Sequence, residues 1–458
     1  MRTPPDTAAP ASAAPAPTAA APAPAPARAR PASLRLIALC AAASLLPLLL
    51  LHGQFQRLYW FGDEWDLLLD LKEAGFWSWV LTAYGENFAP LFKLLWGGAL
   101  LLGGGNYAMI ITLCWLNHAL AVLLLGVLLS RAGWGRPGCA LALLVFGLST
   151  TNLEVLGWSM QWDVVLSATF LLAGALVLQR AAATFTATRA LLLALCVLAS
   201  GLSFSRGVIT GPALLFLALP PFGLLRGSPL TTGQRTALAS AALFPSLLVA
   251  LGITAFGVPS NVHGFLPYDR PTWILAWKFA NAFFLLNPLA KLGGPRFIDG
   301  LPSALVGAIK VAVIASALFT ARRRESRALL GFLLAFDLAN AALVALGRYW
   351  TLPVNALSSR YQYGPLFCFF ASAGALVDAL AARPAASARR FAAAAVAACA
   401  LVAAVRWPKA ISAWAEERGD RARAALQRPF PPDRGVWPHI PPLHASSAKE
   451  LVERFHLH

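Results

Sequence analysis

Residues 59–71 read YWFGDEWDLLLDL. Three carboxylates, Asp63, Glu64 and Asp66, stand within four positions, directly after the first long apolar run of the chain. A carboxylate beside hydrocarbon is costly unless it faces water, a partner or a substrate. Where this stretch sits relative to a membrane therefore decides how the rest of the chain is read.

The surrounding composition is that of a membrane protein. Of 458 residues, 58% are hydrophobic and 12% charged, with a mean hydropathy of +0.64; a soluble domain is about a quarter charged. The formal charge of +17 comes largely from short arginine clusters between apolar runs. That is the positive-inside pattern and not a basic binding face, so no nucleic-acid partner is expected. The six cysteines (Cys40, Cys114, Cys139, Cys196, Cys368, Cys399) lie in or beside apolar segments without CxxC spacing, which implies neither a disulfide framework nor a zinc site. Residues 1–32 are Pro/Ala low complexity and predict a disordered cytoplasmic tail. They lack the pattern of a cleavable signal, so the span starting near Leu34 reads as an uncleaved anchor. The Ala/Arg-rich composition is that of a high-GC prokaryotic genome, which places the protein in a plasma (inner) membrane.

Apolar segments near 34–52, 89–103, 107–130, 139–156, 161–180, 188–204, 207–224, 236–258, 272–290, 303–320, 328–347, 361–381 and 391–406 give thirteen candidate spans. Placing 89–103 and 272–290 on the surface leaves eleven and brings Arg131, Arg136, Arg180, Arg189, Arg226 and Arg235 to the cytoplasmic side. There they join the RRRESR turn (322–327) and Arg383, Arg389 and Arg390. Both demoted segments mix a lysine, Lys93 or Lys278, with Trp and Phe, as interfacial helices do. The expected fold is all-α and polytopic, with about 11 transmembrane helices, the N-terminus inside and interfacial helices in the first outer loop. Its divisions are a transmembrane domain over 33–407, outer loops at 53–106 and 258–302, and a short extracytoplasmic tail at 408–458. Asp63, Glu64, Asp66, Asp70, Glu86, Glu154, Asp163, Asp269 and Asp299 then lie at or near the outer face. Lys310 and Asp337 fall mid-membrane on the hairpin about the RRRESR turn, at nearly equal depth given a 1.5 Å rise per residue. They are expected to pair; a proton relay is the alternative.

The loop GDEWDLLLDLKEAGFWSWVLTAYGENFAPLFKLLWGGALLLGG, Gly62 to Gly104, resembles the first outer loop of the GT-C superfamily of integral-membrane glycosyltransferases. In that superfamily an acidic pair after span one is followed by interfacial helices and a Glu/His-x-Pro-type element. Here the element reads ENFAP, with Pro90 four residues after Glu86. The layout resembles the superfamily over most of the chain; the C-terminal 50 residues are shorter and more polar than the outer domain some members carry. The resemblance implies an inverting transferase that uses a polyprenyl-phosphate sugar donor, and it places the lipid-phosphate contact at an Arg-Tyr near the start of a late span, Arg360 and Tyr361.

The residues support the same chemistry directly. Deprotonating an acceptor hydroxyl needs a carboxylate, for which Asp63 and Glu64 are the catalytic candidates; the alternative for Asp63 is helix capping. Asp66, Glu86, His263 and Asp269 are candidates for acceptor contacts or support. A departing phosphate needs cations. Arg206 in SFSRG, Arg348 in LGRYW and Arg360 with Tyr361 in SSRYQYGP are outer arginines that oppose the charge bias, and Lys93 stands on the helix after Pro90. Interfacial anchoring is the alternative for each. No cofactor follows from the sequence and a divalent metal ion stays open. The expected partners are the polyprenyl-phosphate sugar and membrane lipid, with protein partners unspecified. There is no Walker A, HExxH or GxSxG motif, and no GxGxxG follows a strand. Three readings compete: a flippase or transporter of lipid-linked saccharides, a polymerase or ligase, and a scaffold without activity.

Overall fold

The computed structural model describes residues 31–84, 87–219, 223–225, 228–257, 269–289, 301–351, 353–383, 385–427 and 445–457. Over these residues the regular secondary structure is helical, with two isolated bridges and no strand. The helices are α1 (Leu34–Leu50), α2 (Glu64–Ala74), α3 (Phe76–Leu81), α4 (Pro90–Leu102), α5 (Tyr107–Ala132), α6 (Arg136–Leu148), α7 (Leu153–Gly157) and α8 (Trp162–Ala183). There follow α9 (Ala187–Ser203), α10 (Ser205–Ala218), α11 (Thr232–Phe256), α12 (Arg270–Asn281), α13 (Ser303–Thr320), α14 (Arg324–Arg348) and α15 (Tyr363–Ala381). The last four are α16 (Ala386–Val405), α17 (Trp407–Ala415), α18 (Arg421–Gln427) and α19 (Ala445–Phe455).

By length and composition seven of the described helical stretches can cross a bilayer, or eight if α6 and the helix after it, bent by 42°, form one span. Of the eleven expected spans the other three, α1, α9 and α10, are shorter apolar helices. α4 is short as well, and α12 passes into a π-helical turn, Ala282–Leu286. Rows of large apolar side chains stay exposed, Leu191, Leu192 and Leu195 on α9 and Phe244, Leu247 and Leu251 on α11 among them, as lipid-facing surfaces require.

Local chemistry sets the boundaries. Asn106 caps α5 by accepting from the Met109 amide at 3.2 Å. Pro90 opens α4 at its first position, where its missing N–H costs no hydrogen bond. Thr231 and Gln234 form a reciprocal capping box on α11. α6 and α15 pack so closely that a Cβ on Gly138 or Gly374 collides with the other residue's carbonyl oxygen, the small-residue contact typical of membrane helices. Asp378 of α15 secures that crossing by accepting from the Gly135 and Gly138 amides at 2.6 and 2.8 Å.

One end of the bundle gathers the loop arginines. Arg323 packs against Gly133, Arg324 donates to the Gly223 carbonyl and Arg235 to that of Ser228. The opposite end carries the acidic stretch. Between them, on the hairpin of α13 and α14, Lys310 Nζ lies 2.8 Å from Asp337 Oδ2, both side chains without solvent exposure. The same ammonium donates to the Phe284 carbonyl in the π-helical turn and lies 4.4 Å from the Phe284 ring.

Removing one member of a buried pair strands the other charge, at roughly 3–5 kcal/mol, whereas replacing both with apolar groups is often neutral or better. Lys310→Met or Asp337→Leu alone is expected to lower the melting temperature of the purified protein sharply, and the double substitution to restore it. Single variants as stable as the wild type contradict a structural pair and favour the relay.

Candidate active site

The acidic stretch is built by a glycine turn. Gly62 has φ +58°, a conformation open to glycine, and α2 starts two residues later. Asp63 precedes the first turn of α2 but its side chain makes no capping hydrogen bond, so the capping alternative does not describe it. Asp63, Asp66 and Asp70 stand at helical spacings i, i+3 and i+7, on one face, and all three are partly exposed. Tyr84 faces them and donates to Asp66 Oδ2 at 3.1 Å. Burial first, and then the charges of Asp63 and Asp66, hold the Tyr84 phenol protonated far above its ordinary range.

Glu64 points the other way. It has no solvent exposure. Its Oε2 accepts from the Phe61 amide at 2.9 Å; its Oε1 accepts from the Ser159 hydroxyl, from Tyr107 at 3.2 Å and from the Met160 amide at 3.3 Å. Burial pushes its carboxyl up to about 7 against the pull of those donors. With four donors on two enclosed oxygens, Glu64 is placed to hold the loop and not to meet an acceptor. Lys93 is likewise turned inward. Its ammonium, 1% exposed as a residue, donates to the carbonyls of Trp79 and Thr82 at 3.0 and 3.1 Å and to the Thr82 hydroxyl at 3.3 Å. Those three bonds fill a lysine's donor capacity and cap the C-terminus of α3. Burial draws it down to about 8, opposed by Asp70.

The arginines form a second centre. Arg206, in the turn opening α10, donates to Asn340 Oδ1 at 3.4 Å and stacks over Phe204 at 4.3 Å and Tyr361 at 5.6 Å. The Arg360 guanidinium lies 5.1 Å from the Tyr361 ring, and its Nε is buried without a hydrogen-bond partner. A cavity of about 30 Å³ is lined by Arg206, Arg360, Tyr361, Tyr363, Asn340 and Ser167, among others, room for one or two waters. Arg348 and Arg360 both oppose the charge of Arg206; Asp163 favours it. Among the described residues neither Arg206 nor Arg360 forms an ion pair. Tyr363 is oriented by His118: Gly147 O can only accept, so His118 Nε2 carries the proton (3.2 Å) and Nδ1 accepts from Tyr363 at 2.8 Å.

The two centres share one end of the bundle but not one cavity: neither Asp63 nor Glu64 lines the arginine cavity. Three links join them. The Phe88 amide, from the ENFAP element, donates to the hydroxyl of Ser205, next to Arg206, at 3.0 Å. Ser159 and Met160, which hold Glu64, lead into α8, whose Val164 and Ser167 line the cavity. Glu154 accepts from the Ser358 hydroxyl at 3.0 Å and the Arg360 amide at 3.1 Å. Glu154 and Asn340 were not among the expected site residues; their partners are 206 and 134 positions away in sequence, so no local spacing could have found them. Asp269 is the N-cap of α12, in a capping box with Thr272. Glu86 and His263 lie outside the described residues. No group of three or more His, Cys, Asp or Glu side chains among the described residues could hold a metal ion.

The apo structure of the Archaeoglobus fulgidus oligosaccharyltransferase superposes on 93% of this chain and 59% of its own, with a TM-score of 0.50 at 15% identity. The chain shares the fold of that oligosaccharyltransferase over this region. Two other structures of the same archaeal protein are also similar. Its complex with zinc and sulfate has a TM-score of 0.48 at 15% identity, over 85% of this chain and 54% of that one. The form tethered to an acceptor peptide with the NVT sequon has 0.48 at 14%, over 93% and 59%. The chain thus spans little more than half the length of these structures, and at such identity the likeness is one of fold. No protein-family model and no curated protein sequence matches it.

Because the folded-state carboxyl of Glu64 titrates higher than an unfolded one, at about 7 against 4.5, the folded state holds its proton more tightly. Stability from this group is full below about pH 4.5 and lost as pH rises through about 7. The melting temperature of the purified protein is expected to fall between pH 5 and pH 8, and Glu64→Gln, which cannot titrate, to flatten that limb. An unchanged limb in Glu64→Gln assigns the effect to another group.

Proposed function

We propose that this protein is a membrane glycosyltransferase that takes a sugar from a polyprenyl-phosphate carrier and passes it to a glycan, lipid or protein acceptor on the extracytoplasmic face of the plasma membrane. The observation that carries this reading is the convergence of Arg206 and Arg360 on one cavity, neither of them in an ion pair among the described residues. Clustered cations with an unsatisfied buried Nε favour an anionic ligand, and guanidinium groups match phosphate oxygens in pairs. The fold shared with an oligosaccharyltransferase supports the transferase class. The loop arginines gathered at the far end support an inward orientation for that end.

In this reading Asp63 is the general base. It removes the proton of the acceptor hydroxyl as that oxygen attacks the anomeric carbon. The bond from that carbon to the phosphate oxygen breaks with its electron pair on the phosphate, where Arg360 and Arg206 stabilise the charge. A single displacement inverts the anomeric configuration. Asp66, with Tyr84, holds the neighbouring acidic surface, and Glu64 sets the loop.

Asp63→Asn and Arg360→Ala, each expressed in place of the native copy, test this by mass spectrometry of lipid-linked sugars and envelope glycans. Loss of a base lowers turnover by about 10²–10⁴-fold, so one glycan modification is expected to vanish while its lipid-phosphate sugar accumulates. Unchanged glycans with both variants stably present in the membrane contradict the proposal.

A further inference from the structure

The last of the span-length helical stretches runs from Ala386 to Ala424, 39 residues, about 58 Å at 1.5 Å per residue and roughly twice the ~30 Å hydrocarbon thickness. Its distal part, α17 and the π-helical turn Glu416–Asp420, returns to the acidic loop. There the Arg418 guanidinium lies 3.6 Å from the Trp414 ring centre, 4.2 Å from that of Phe61 and 6.0 Å from that of Trp158. Its Nε and Nη1 are buried without hydrogen-bond partners, so ring faces and not hydrogen bonds hold it. The carboxylate that acts on it most strongly is Glu154.

Two of these rings lead to the site, Phe61 in the acidic loop and Trp158 directly after α7, the helix that carries Glu154. Phe61 donates its amide to Glu64 and stands two residues before Asp63; Glu154 holds the backbone of Arg360. The turn is fixed on the loop from either side. Arg57 pairs with Asp420 through two nitrogens. Arg423 donates to the carbonyls of Gln56, Arg57 and Leu58 at 3.1–3.3 Å. Gly419 sits so near Arg57 that a Cβ there collides with its carbonyl oxygen. Beyond it, Lys72 of α2 pairs with Glu450 of α19.

We propose that Arg418 is a positioning residue: wedged among Phe61, Trp158 and Trp414, it sets the spacing between the acidic loop that carries Asp63 and the turn that carries Arg360. Its purpose rests on the transferase reading; its structural effect does not, and the test uses the structural effect. Spin labels go on Glu73→Cys of α2 and Asn355→Cys of the turn before Arg360, both exposed positions, with the exposed Cys399 replaced by Ser. Double electron–electron resonance on the full-length protein in nanodiscs then reads the distance between the two halves.

The wild type is expected to give one narrow distribution. Arg418→Ala is expected to broaden and shift it, Arg418→Lys, which keeps a cation over the rings, to retain most of the narrow component, and Gly419→Ala, which pushes the turn off Arg57, to broaden it without touching Arg418. A folded Arg418→Ala protein with the wild-type distribution overturns the proposal whatever its melting temperature, and so does a wild-type distribution in Gly419→Ala if Arg418→Ala does not fold. Broadening in the variants together with a wild type that transfers no sugar overturns the transferase reading and leaves the positioning role standing.

Discussion

Glu64 is a carboxylate taken wholly out of water, and the end of the bundle that carries the site is arranged around it. Burying such a group costs several kcal/mol unless its oxygens are well satisfied, and here the four donors come from three separate segments: Phe61 in the loop itself, Tyr107 at the head of α5, and Ser159 with Met160 at the head of α8. Each donor lost leaves the charge less compensated, so the three segments are held in one relative position. Trp96 of α4 adds a fourth by donating to Ser159 at 2.9 Å. The other acids of the stretch can then remain on the opposite, partly exposed face of α2. A charge-rich loop beside hydrocarbon is tolerable because one carboxylate is internal and satisfied while its neighbours keep access to water.

The arginine centre obeys the reverse logic. Arg206 and Arg360 are held over aromatic faces and by Asn340, without a paired carboxylate among the described residues. Like charges in a poorly solvated cleft repel, and the one carboxylate acting on Arg206 among the described residues, Asp163, also accepts from the backbone amide of Val164. In the proposed function this cluster takes an anion, whereas Lys93, which the sequence also offered for that role, has all three of its donors engaged by backbone and hydroxyl groups. Aromatic contacts recur as the means of holding cations at this end, at Arg206, Arg360 and Arg418 alike.

The layout was legible in the sequence because apolar run length and arginine placement are local signals. The helices fall where the eleven apolar segments were drawn, and α4 and α12, with their lysines and tryptophans, stand apart from the long spans. The depth argument that matched Lys310 with Asp337 needed only the helix rise. The site was legible in part. Arg206 and Arg360, singled out because they oppose the expected charge bias, do line one cavity. What adjacent positions such as Asp63 and Glu64 do, one turned out and one turned in, depends on Ser159 and Tyr107 far along the chain. Glu154 and Asn340 were hidden for the same reason, their partners lying more than a hundred residues away, and so were the contacts of Arg418 with Phe61 and Trp158. The C-terminal stretch reads as a polar tail from composition, yet its Gly419 and Arg423 are fitted to the backbone of residues 56–58, which no periodicity within the tail reveals.

The central claim is that the arginine cavity binds a lipid phosphate. The most direct test is native mass spectrometry of the purified full-length protein in nanodiscs, titrated with decaprenyl phosphate and, separately, with uncharged decaprenol. A charged hydrogen bond contributes about 1.5–3 kcal/mol, or roughly ten- to a hundredfold in affinity. The account predicts saturable binding of the phosphate, weakened by at least tenfold in Arg206→Ala and in Arg360→Ala, and little binding of the alcohol. Equal retention of phosphate and alcohol, or wild-type affinity in both arginine variants, contradicts it.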